Sequence, residues 1–254
     1  MHITPALLSG TFIKRYKRFF TDIRTQDGDV ITVHCPNTGS MKNCQVEGSP
    51  CWYSLSNNPK RKLAGTLEIV TSAFGNLAGV NTGRPNHLVR EAIENDLIPE
   101  LRGYASLRTE VRYGEEKSRI DLLLEGSEGN EDSEDDSAPE SKSGCCYVEV
   151  KNVTLDCGDG RAQFPDSVTT RGSKHLRELM AMVAAGHRAV LFFCVQLSGV
   201  EEVSVAAHID PVYAETLTTA IAAGVEVIVW QADMADSGIS LQRPLKEQLL
   251  KRSF

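Results

Sequence analysis

The sequence predicts an α/β protein of two domains, a small β barrel followed by a layered domain with a mixed sheet. Three observations support this fold class. About five short strand-like runs fill the first 82 residues, helical and strand-like periods alternate from residue 83 onward, and the pattern changes at "VNTGRPN". We therefore place the domains at residues 1–82 and 83–254.

The N-terminal strands come first. The runs "RFFTDIRT" and "VITVHC" flank "QDGD", whose Asp-Gly pair favours a hairpin turn. Three further runs follow: "SPCWYSLS", "GTLEIVTSA" and "LAGVNT". Five short strands within about 80 residues suit an OB-type barrel, a fold that commonly binds nucleic acid, and a fragment of a β sandwich is the alternative.

The second domain begins with a helix in "NHLVREAIEND", for which Asn86 is a suitable N-cap. Strands are predicted in "SRIDLLLE" and "CYVEVKNVTL", after a first one in "SLRTEVRYG". A helix in "GSKHLRELMAMVAAG" follows. The apolar runs "AVLFFCVQL" and "VEVIVWQAD" then enclose a helix in "PVYAETLTTAIAAG". This order predicts a mixed sheet covered by helices.

Composition excludes several classes of protein. The chain is 41% hydrophobic and 24% charged, as is typical of soluble proteins. It has neither a signal-peptide pattern nor the run of about 18 apolar residues that spans a bilayer, so we expect a cytoplasmic protein with no membrane partner. Its seven cysteines include no C-x-x-C pair. We therefore expect reduced thiols rather than disulfides or a zinc site.

Charge is unevenly distributed along the chain. The net charge is −7, yet residues 1–82 carry nine Lys or Arg against five acids. Residues 125–144 carry eight acids against one lysine, which equals the net charge of the whole chain. This tract has no large apolar side chain, so we predict a disordered acidic insert at residues 126–144. The positive first domain suits a polyanionic partner.

Two predicted strands carry charges in unusual places. In "CYVEVKNVTL" the period of two puts Val148 and Val150 on one face and Glu149 and Lys151 on the other. In "SRIDLLLE" Asp121 lies opposite an apolar face. Two carboxylates on neighbouring strands suit Mg²⁺ or Mn²⁺, and the lysine suits a phosphodiester. The alternative is an ordinary Glu-Lys pair on a solvated strand.

Basic residues mark the expected nucleic-acid surface. In the first domain they interleave with aromatic residues, a combination by which OB surfaces hold single strands, although we expect Phe19 and Trp52 in the core. The candidates there are Lys14, Arg15, Lys17, Arg18, Lys60, Arg61 and Lys62. In the second domain they are Arg171, Lys174 and His175, near a helix start that suits phosphate. A plain surface position is an equal alternative for His175, and for Glu110 a surface charge is favoured over a site acid.

Eight blocks of the sequence carry a family resemblance. The blocks are "KRYKRFFTDI", "VHCPNTGSM", "WYSLSNNPKRKL", "GVNTGRPN", "EVRYGEEKSRIDLLLE", "YVEVKNVTL", "FPDSVTTRGSKHLREL" and "IDPVYAETL". Through them the chain resembles the sugar fermentation stimulation protein A family over essentially its full length. The resemblance implies an N-terminal OB fold, a second domain of the PD-(D/E)XK nuclease type, and DNA binding. The acidic insert departs from the family pattern.

The resemblance also implies roles for individual residues. Asp121 matches the second-strand aspartate of the nuclease pattern, Glu149 and Lys151 match its E-x-K, and Glu91 matches the acid of its first helix. These four residues are thus the catalytic candidates, with Asp121 and Glu149 as the metal ligands. The literal Pro-Asp at Asp166 follows the E-x-K in the chain, so we do not assign it to the metal.

These inferences lead to one expected function and two rivals. We expect a nucleic-acid-binding protein, with DNA as the partner, that cleaves phosphodiesters with Mg²⁺ or Mn²⁺. The first rival is a non-catalytic DNA-binding regulator of sugar-metabolism genes that retains the nuclease fold. The second is a carbohydrate enzyme with Asp121 and Glu149 as an acid-base pair, which the adjoining Lys151 disfavours.

Overall fold

The computed structural model describes residues 6–114, 118–126, 144–235 and 237–247. Apart from its end residues, the acidic insert predicted at 126–144 lies outside the described residues. Within the described stretches, none of the helices is both long enough and apolar enough to cross a bilayer.

The N-terminal strands form a closed barrel. They are β1 (Leu8–Tyr16), β2 (Phe20–Thr25), β3 (Val30–His34), β4 (Pro50–Leu55), β5 (Gly65–Thr71) and β6 (Leu77–Gly79). The strand order is β3-β2-β1-β4-β5-β6, and a parallel pairing of His34 with Thr66 joins β3 to β5. Alternate side chains such as Phe12, Ile23 and Val33 fill the interior. The closure confirms the OB-type barrel predicted from sequence, although β1 was not among the five predicted strands.

The remaining elements build the second domain. They are α1 (Pro85–Glu94), a short 3-10 helix (Pro99–Leu101), β7 (Ser106–Tyr113), β8 (Ser118–Glu125), β9 (Cys146–Val153), β10 (Leu155–Gly158), β11 (Arg161–Phe164), α2 (Thr170–Ala184), β12 (Arg188–Val195), β13 (Glu202–Val205), α3 (Pro211–Ala222), β14 (Glu226–Ala235), β15 (Gly238–Pro244) and β16 (Lys246–Glu247).

The main sheet of this domain is mixed, as predicted. Its order is β15-β14-β12-β9-β8-β7, with parallel pairing of β12 to both β9 and β14 and antiparallel pairing elsewhere. A second sheet, β10-β11-β13-β16, was not predicted. Its strands have two to four residues each, too few to show a clear period of two.

Helices cover both faces of the main sheet. Val148 and Val150 belong to the apolar cluster that includes Leu88 of α1. Tyr147, which precedes Val148 and lies on the opposite face of β9, packs against the cluster that includes Leu176 and Leu179 of α2. The period-two division of β9 is therefore confirmed, and it directs Glu149 toward the α2 side. Both faces of β9 are covered, so its charges do not lie on a solvated strand.

Two helix starts differ from the sequence prediction. Helix α1 begins at Pro85 with Arg84 in the N-cap position and no side-chain capping bond, so Asn86 is not its cap. Proline at the first helical position already has the helical φ, and Asn86 falls within the first turn. Helix α2 begins at Thr170, where the Thr169 hydroxyl accepts from the Gly172 amide at 3.0 Å.

The barrel and the second domain share one hydrophobic core. Phe12 and Val33 of the barrel belong to the same cluster of buried side chains as Leu191 and Leu217 of the second domain. The buried Asp156 carboxylate joins the domains by accepting from Ser72 Oγ at 2.6 Å and Asn76 Nδ2 at 2.9 Å. The domains are thus held in a fixed relation, which places the barrel beside the charged strands.

Candidate active site

The register of β8 and β9 sets Asp121 opposite Glu149. Leu122 pairs with Val148 in the antiparallel ladder, so one step further along the strands the two acids face each other on one side of the sheet. The Val150 amide donates to Asp121 Oδ2 at 2.8 Å. Asp121 Oδ1 accepts from Asn86 Nδ2 at 2.8 Å. Two donors therefore fix the orientation of the Asp121 carboxylate.

Glu149 is held by a chain of side chains from α2 and by its neighbour on β9. Only 2% of Glu149 is exposed, and its Oε1 lies 2.6 Å from Lys151 Nζ. The same oxygen contacts Nδ1 of His175, whose Nε2 accepts from Arg171 Nε at 3.2 Å. Because Arg171 donates to Nε2, Nδ1 carries the proton that His175 donates to Glu149. Arg171 and His175 thereby fix the position of Glu149.

The two carboxyl groups have opposite pKa shifts. Burial, together with the nearby Glu149 charge, raises the pKa of Asp121 to about 6. Burial also acts to raise the pKa of Glu149, but Lys151 and the His175 hydrogen bond outweigh it and hold the pKa below its ordinary value. Glu149 therefore keeps its charge more readily than Asp121, a division that is common where adjacent acids have different environments.

One oxygen of the pair is without a hydrogen bond. Glu149 Oε2 is buried and has no partner among the described residues. An orphaned carboxylate oxygen near a second carboxylate fits a hard divalent cation, which prefers oxygen ligands. No group of three or more Asp, Glu, His or Cys side chains suited to a metal occurs in the part of the chain that the structure describes. Among the described residues, the two carboxylates would supply the protein ligands, and Mg²⁺ commonly retains water in such sites.

A cavity of about 360 Å³ opens beside Asp121, and we call it the Asp121 cavity. It is lined by Thr82, Gly83, Asn86, His87, Arg90, Thr109, Glu110 and Asp121. Asn86, His87 and Arg90 were not among the predicted site residues. The signal was available, because Pro85 marks the helix start and Asn86 and Arg90 are then four residues apart on one helix face.

Glu110 is the neighbour of Asp121 on β7, the strand that flanks β8 on the side away from β9. The pairs Thr109 with Leu122 and Val111 with Ile120 bracket a position where Glu110 and Asp121 oppose each other. Glu110 has a φ of 55°, and side chains other than glycine rarely adopt such values within a strand. It is exposed, as expected, and it also lines the Asp121 cavity. Three acids on adjacent strands, Glu110, Asp121 and Glu149, thus occupy one level of the sheet.

The other predicted residues of the second domain lie in different settings. Glu91 is half-buried on α1 and does not line the Asp121 cavity, so its catalytic role stays a prediction. Lys174 is half-buried and Arg171 is exposed. The surface alternative for His175 is wrong, because only 5% of it is exposed.

Asp166 Oδ2 accepts from Ser40 Oγ at 2.9 Å and from the Met41 amide at 3.2 Å, and so joins the domains.

The outer face of the barrel hairpin combines rings with a positive charge. Tyr16 stacks on Phe20 with ring centroids 5.5 Å apart, and Lys14 Nζ lies 5.6 Å from the Tyr16 centroid. Phe19 is 48% exposed, so its predicted core position is wrong. It lies in the three-residue loop between β1 and β2, where strand alternation does not apply. Trp52 is half-buried and packs against the core, as expected.

The predicted basic residues of the barrel differ in whether their side chains form hydrogen bonds within the protein. Lys17 and Arg18 are exposed in the loop between β1 and β2, both with positive φ. The Arg15 guanidinium instead donates to the carbonyls of Arg18, Asn37 and Gly39, so part of its role is structural. In the second basic run Lys60, Arg61 and Lys62 are all exposed. Arg61 also donates to Thr66 Oγ1 at 2.9 Å.

Comparisons with known proteins agree with this architecture. Residues 13–80 match the family model of the SfsA N-terminal OB domain, and residues 83–238 match that of the sugar fermentation stimulation protein RE domain. The chain belongs to the sugar fermentation stimulation protein family. Curated relatives and a solved structure extend the match over nearly the whole chain.

Two relatives named sugar fermentation stimulation protein homolog illustrate the degree of similarity. The protein of Shewanella sediminis is 51% identical over 249 residues, covering 95% of this chain and 97% of the relative. That of Teredinibacter turnerae is 54% identical over 245 residues, covering 96% and 98%. A structure of Pyrococcus furiosus SfsA, described as a complex with Ca²⁺, matches with a TM-score of 0.82, 26% identity and 98% coverage of both chains.

Proposed function

We propose that this protein binds nucleic acid, with DNA as the expected partner, and cleaves phosphodiester bonds at Asp121, Glu149 and Lys151. The observation that carries the proposal is the pair of opposed carboxylates, one with an orphaned oxygen, beside a lysine 2.6 Å from Glu149. Family membership supports it, as does the Ca²⁺ complex of the Pyrococcus relative. Ca²⁺ and Mg²⁺ both prefer carboxylate oxygens.

Asp121 and Glu149 would hold the Mg²⁺ or Mn²⁺ ion of such a site. When bound, a divalent ion polarises a phosphoryl oxygen and lowers the pKa of a coordinated water. Lys151 would stabilise the negative charge that develops on the phosphate during cleavage. Arg171 and His175 keep Glu149 in place through the hydrogen bonds described above, so His175 acts as a positioning residue.

The barrel would supply affinity for the nucleic-acid strand. Lys14, Tyr16 and Phe20 form a basic and aromatic surface on β1 and β2, and Lys17 and Arg18 extend it at the hairpin loop. Rings that stack on bases and cations that contact phosphates are how OB-type barrels hold single strands. The second basic run, Lys60 to Lys62, adds exposed charge on the same domain.

Cleavage assays on single- and double-stranded DNA and RNA with Mn²⁺ test the proposal. We expect cleavage that requires the metal and that Lys151→Ala or Asp121→Asn abolishes, with oligonucleotide binding retained in Ca²⁺. Lys246→Ala, on the exposed strand β16, is the matched control and should cleave normally. Tight binding with no cleavage of any substrate would exclude the enzymatic part of the proposal.

A second function, the non-catalytic DNA-binding regulator of sugar-metabolism genes, is favoured by one observation. Both oxygens of Asp121 accept hydrogen bonds within the protein, and Glu149 forms an ion pair with Lys151. Such a network satisfies most of the carboxylate oxygens without a metal. This function predicts DNA affinity that neither Mn²⁺ nor Asp121→Asn changes.

A further inference from the structure

A small cavity lies at the junction of the two domains, and we call it the junction cavity. Its volume is about 110 Å³. The lining residues are Asn37, Thr82, Asn152, Thr154, Leu155, Gln163, Phe164 and Asp166. Asn37 and Thr82 come from the segments that follow β3 and β6, and the others come from the second domain. Both domains are therefore needed to form it.

Two Asn-Thr-Gly turns each contribute a residue to the lining of this cavity, Asn37 from the first and Thr82 from the second. In the first, Asn37 Oδ1 accepts from the Gly39 amide at 2.8 Å, and in the second Asn81 Oδ1 accepts from the Gly83 amide at 3.0 Å. Thr82 Oγ1 donates to the Pro36 carbonyl at 3.1 Å and joins the two turns. Thr82 lines both the junction cavity and the Asp121 cavity. The two cavities are therefore neighbours.

The lining of the junction cavity is almost uncharged. Among the described residues that line it, Asp166 is the one ionisable side chain, and its oxygens already accept from Ser40, Met41 and Ser167. A cavity without Lys or Arg is poorly suited to a phosphate. It is better suited to a neutral ligand that presents both apolar surface and hydrogen-bonding groups.

Three polar groups of the lining are available to such a ligand. They are Nδ2 of Asn37, the hydroxyl of Thr154 and Oε1 of Gln163, for which the described residues supply no hydrogen-bond partner. Asn37 is only 6% exposed and Thr154 only 7%. Phe164 and Leu155 provide apolar surface beside them. Amide side chains with a ring nearby are a common means of recognising the hydrogen-bonding edge of a flat base.

We propose that the junction cavity binds one nucleobase of the strand whose backbone passes Asp121. The inference rests on the proposed function and adds a site for the base. The volume, about 110 Å³, is of the order of the roughly 150 Å³ cavity that holds benzene in an engineered protein, so it suits a single ring. A base held here sets the register of the strand, so that a neighbouring phosphate lies in the Asp121 cavity.

Oligonucleotides with a single abasic position test the proposal. The affinity of the whole protein for short single strands is measured by fluorescence anisotropy in Ca²⁺, with the abasic position moved along the strand. We expect removal of the base at one position to weaken binding about tenfold, the loss of one or two hydrogen bonds. In Thr154→Val/Gln163→Leu the intact strand should bind as weakly as the abasic one, while affinity for the abasic strand is unchanged. Thr218→Val, on the outer surface of α3, is the matched control and should retain the full difference.

Four results would overturn the inference. If intact and abasic strands bind the wild-type protein equally at every position, the cavity holds no base, although the proposed function survives. If the double variant weakens both strands equally, the two side chains matter only for structure. If glucose raises the melting temperature of the wild type but not of the double variant, the cavity binds a sugar instead. Absence of oligonucleotide binding altogether would reject the proposed function and the inference together.

Discussion

Strands β1 and β9 both carry charged side chains among apolar ones. The charges of β1 are exposed to solvent, whereas those of β9 are buried. On β1, Lys14 is 66% exposed and pairs loosely with Asp22 at 3.7 Å. On β9, Lys151 is 13% exposed and contacts Glu149 at 2.6 Å. The difference arises from the layers around each strand, because a barrel wall has one face in water whereas β9 has helices on both sides. A charge on a strand that is covered on both faces needs an ion pair, hydrogen bonds or a bound ion to offset the cost of burial.

The largest effect should come from removing the buried cation. Lys151→Met leaves Glu149 buried without its ammonium partner, and we expect a loss of about 3 kcal/mol in the free energy of unfolding. Urea denaturation measures it. Adding Glu149→Leu removes the unpaired charge but also the acceptor of His175, and should restore only part of the loss. If Lys151→Met lowers the free energy of unfolding no more than Lys14→Met does, the buried and the exposed lysine contribute equally to stability.

The next largest effect is stabilisation by the metal. A ligand that binds only the folded state at 100 times its Kd stabilises it by about 2.7 kcal/mol. We expect Mn²⁺ to raise the melting temperature of the wild type but not of Asp121→Asn. Asp22→Asn, in the barrel, is the matched control and should respond as the wild type does. An equal response of all three proteins would place the metal elsewhere.

Removal of the positioning histidine should have a smaller effect. His175→Phe retains a buried ring but leaves Glu149 and Arg171 without their shared partner, which should cost about 2 kcal/mol of stability. The same variant should lower kcat more than it changes KM if the protein cleaves nucleic acid, since Glu149 would be misplaced. His175→Gln, which keeps a donor, should recover part of both losses. A variant that is destabilised but fully active would make His175 purely structural.

The smallest effect on stability is expected on the barrel surface. Lys17→Gly/Arg18→Gly removes two exposed charges at positions whose positive φ glycine adopts easily, so stability should change by less than about 0.5 kcal/mol. The dependence of log affinity on log salt should become shallower by about 1.4 for single-stranded DNA if both residues contact phosphates. An unchanged slope would show that this loop does not contact the backbone.

The sequence predicted the fold well because most elements are long enough to show their period. The apolar runs of β12 and β14 and the stripe of Leu176 and Leu179 on α2 are examples. The two-residue to four-residue strands of the second sheet were missed for the opposite reason. Asn86 was mistaken for a cap, since local propensity favours that role and only tertiary structure shows its bond to Asp121.

The site was predicted less completely than the fold. The juxtaposition of Asp121 and Glu149 depends on strand register across an intervening segment of the chain, which no local pattern determines. His175 was missed as a partner of Glu149 because a histidine beside an apolar stripe resembles a surface residue. The two Asn-Thr-Gly turns are visible in the sequence as a repeat, but their contact through Thr82 requires the folded chain.

The shared core has a consequence for attempts to divide the protein. Val33 and Cys44 of the barrel are fully buried in the same cluster as Leu197 and Val203. Cutting the chain after residue 82 would strip each fragment of apolar neighbours and expose Asp156 or the hydroxyl and amide groups that it binds. Neither fragment is then expected to remain soluble alone.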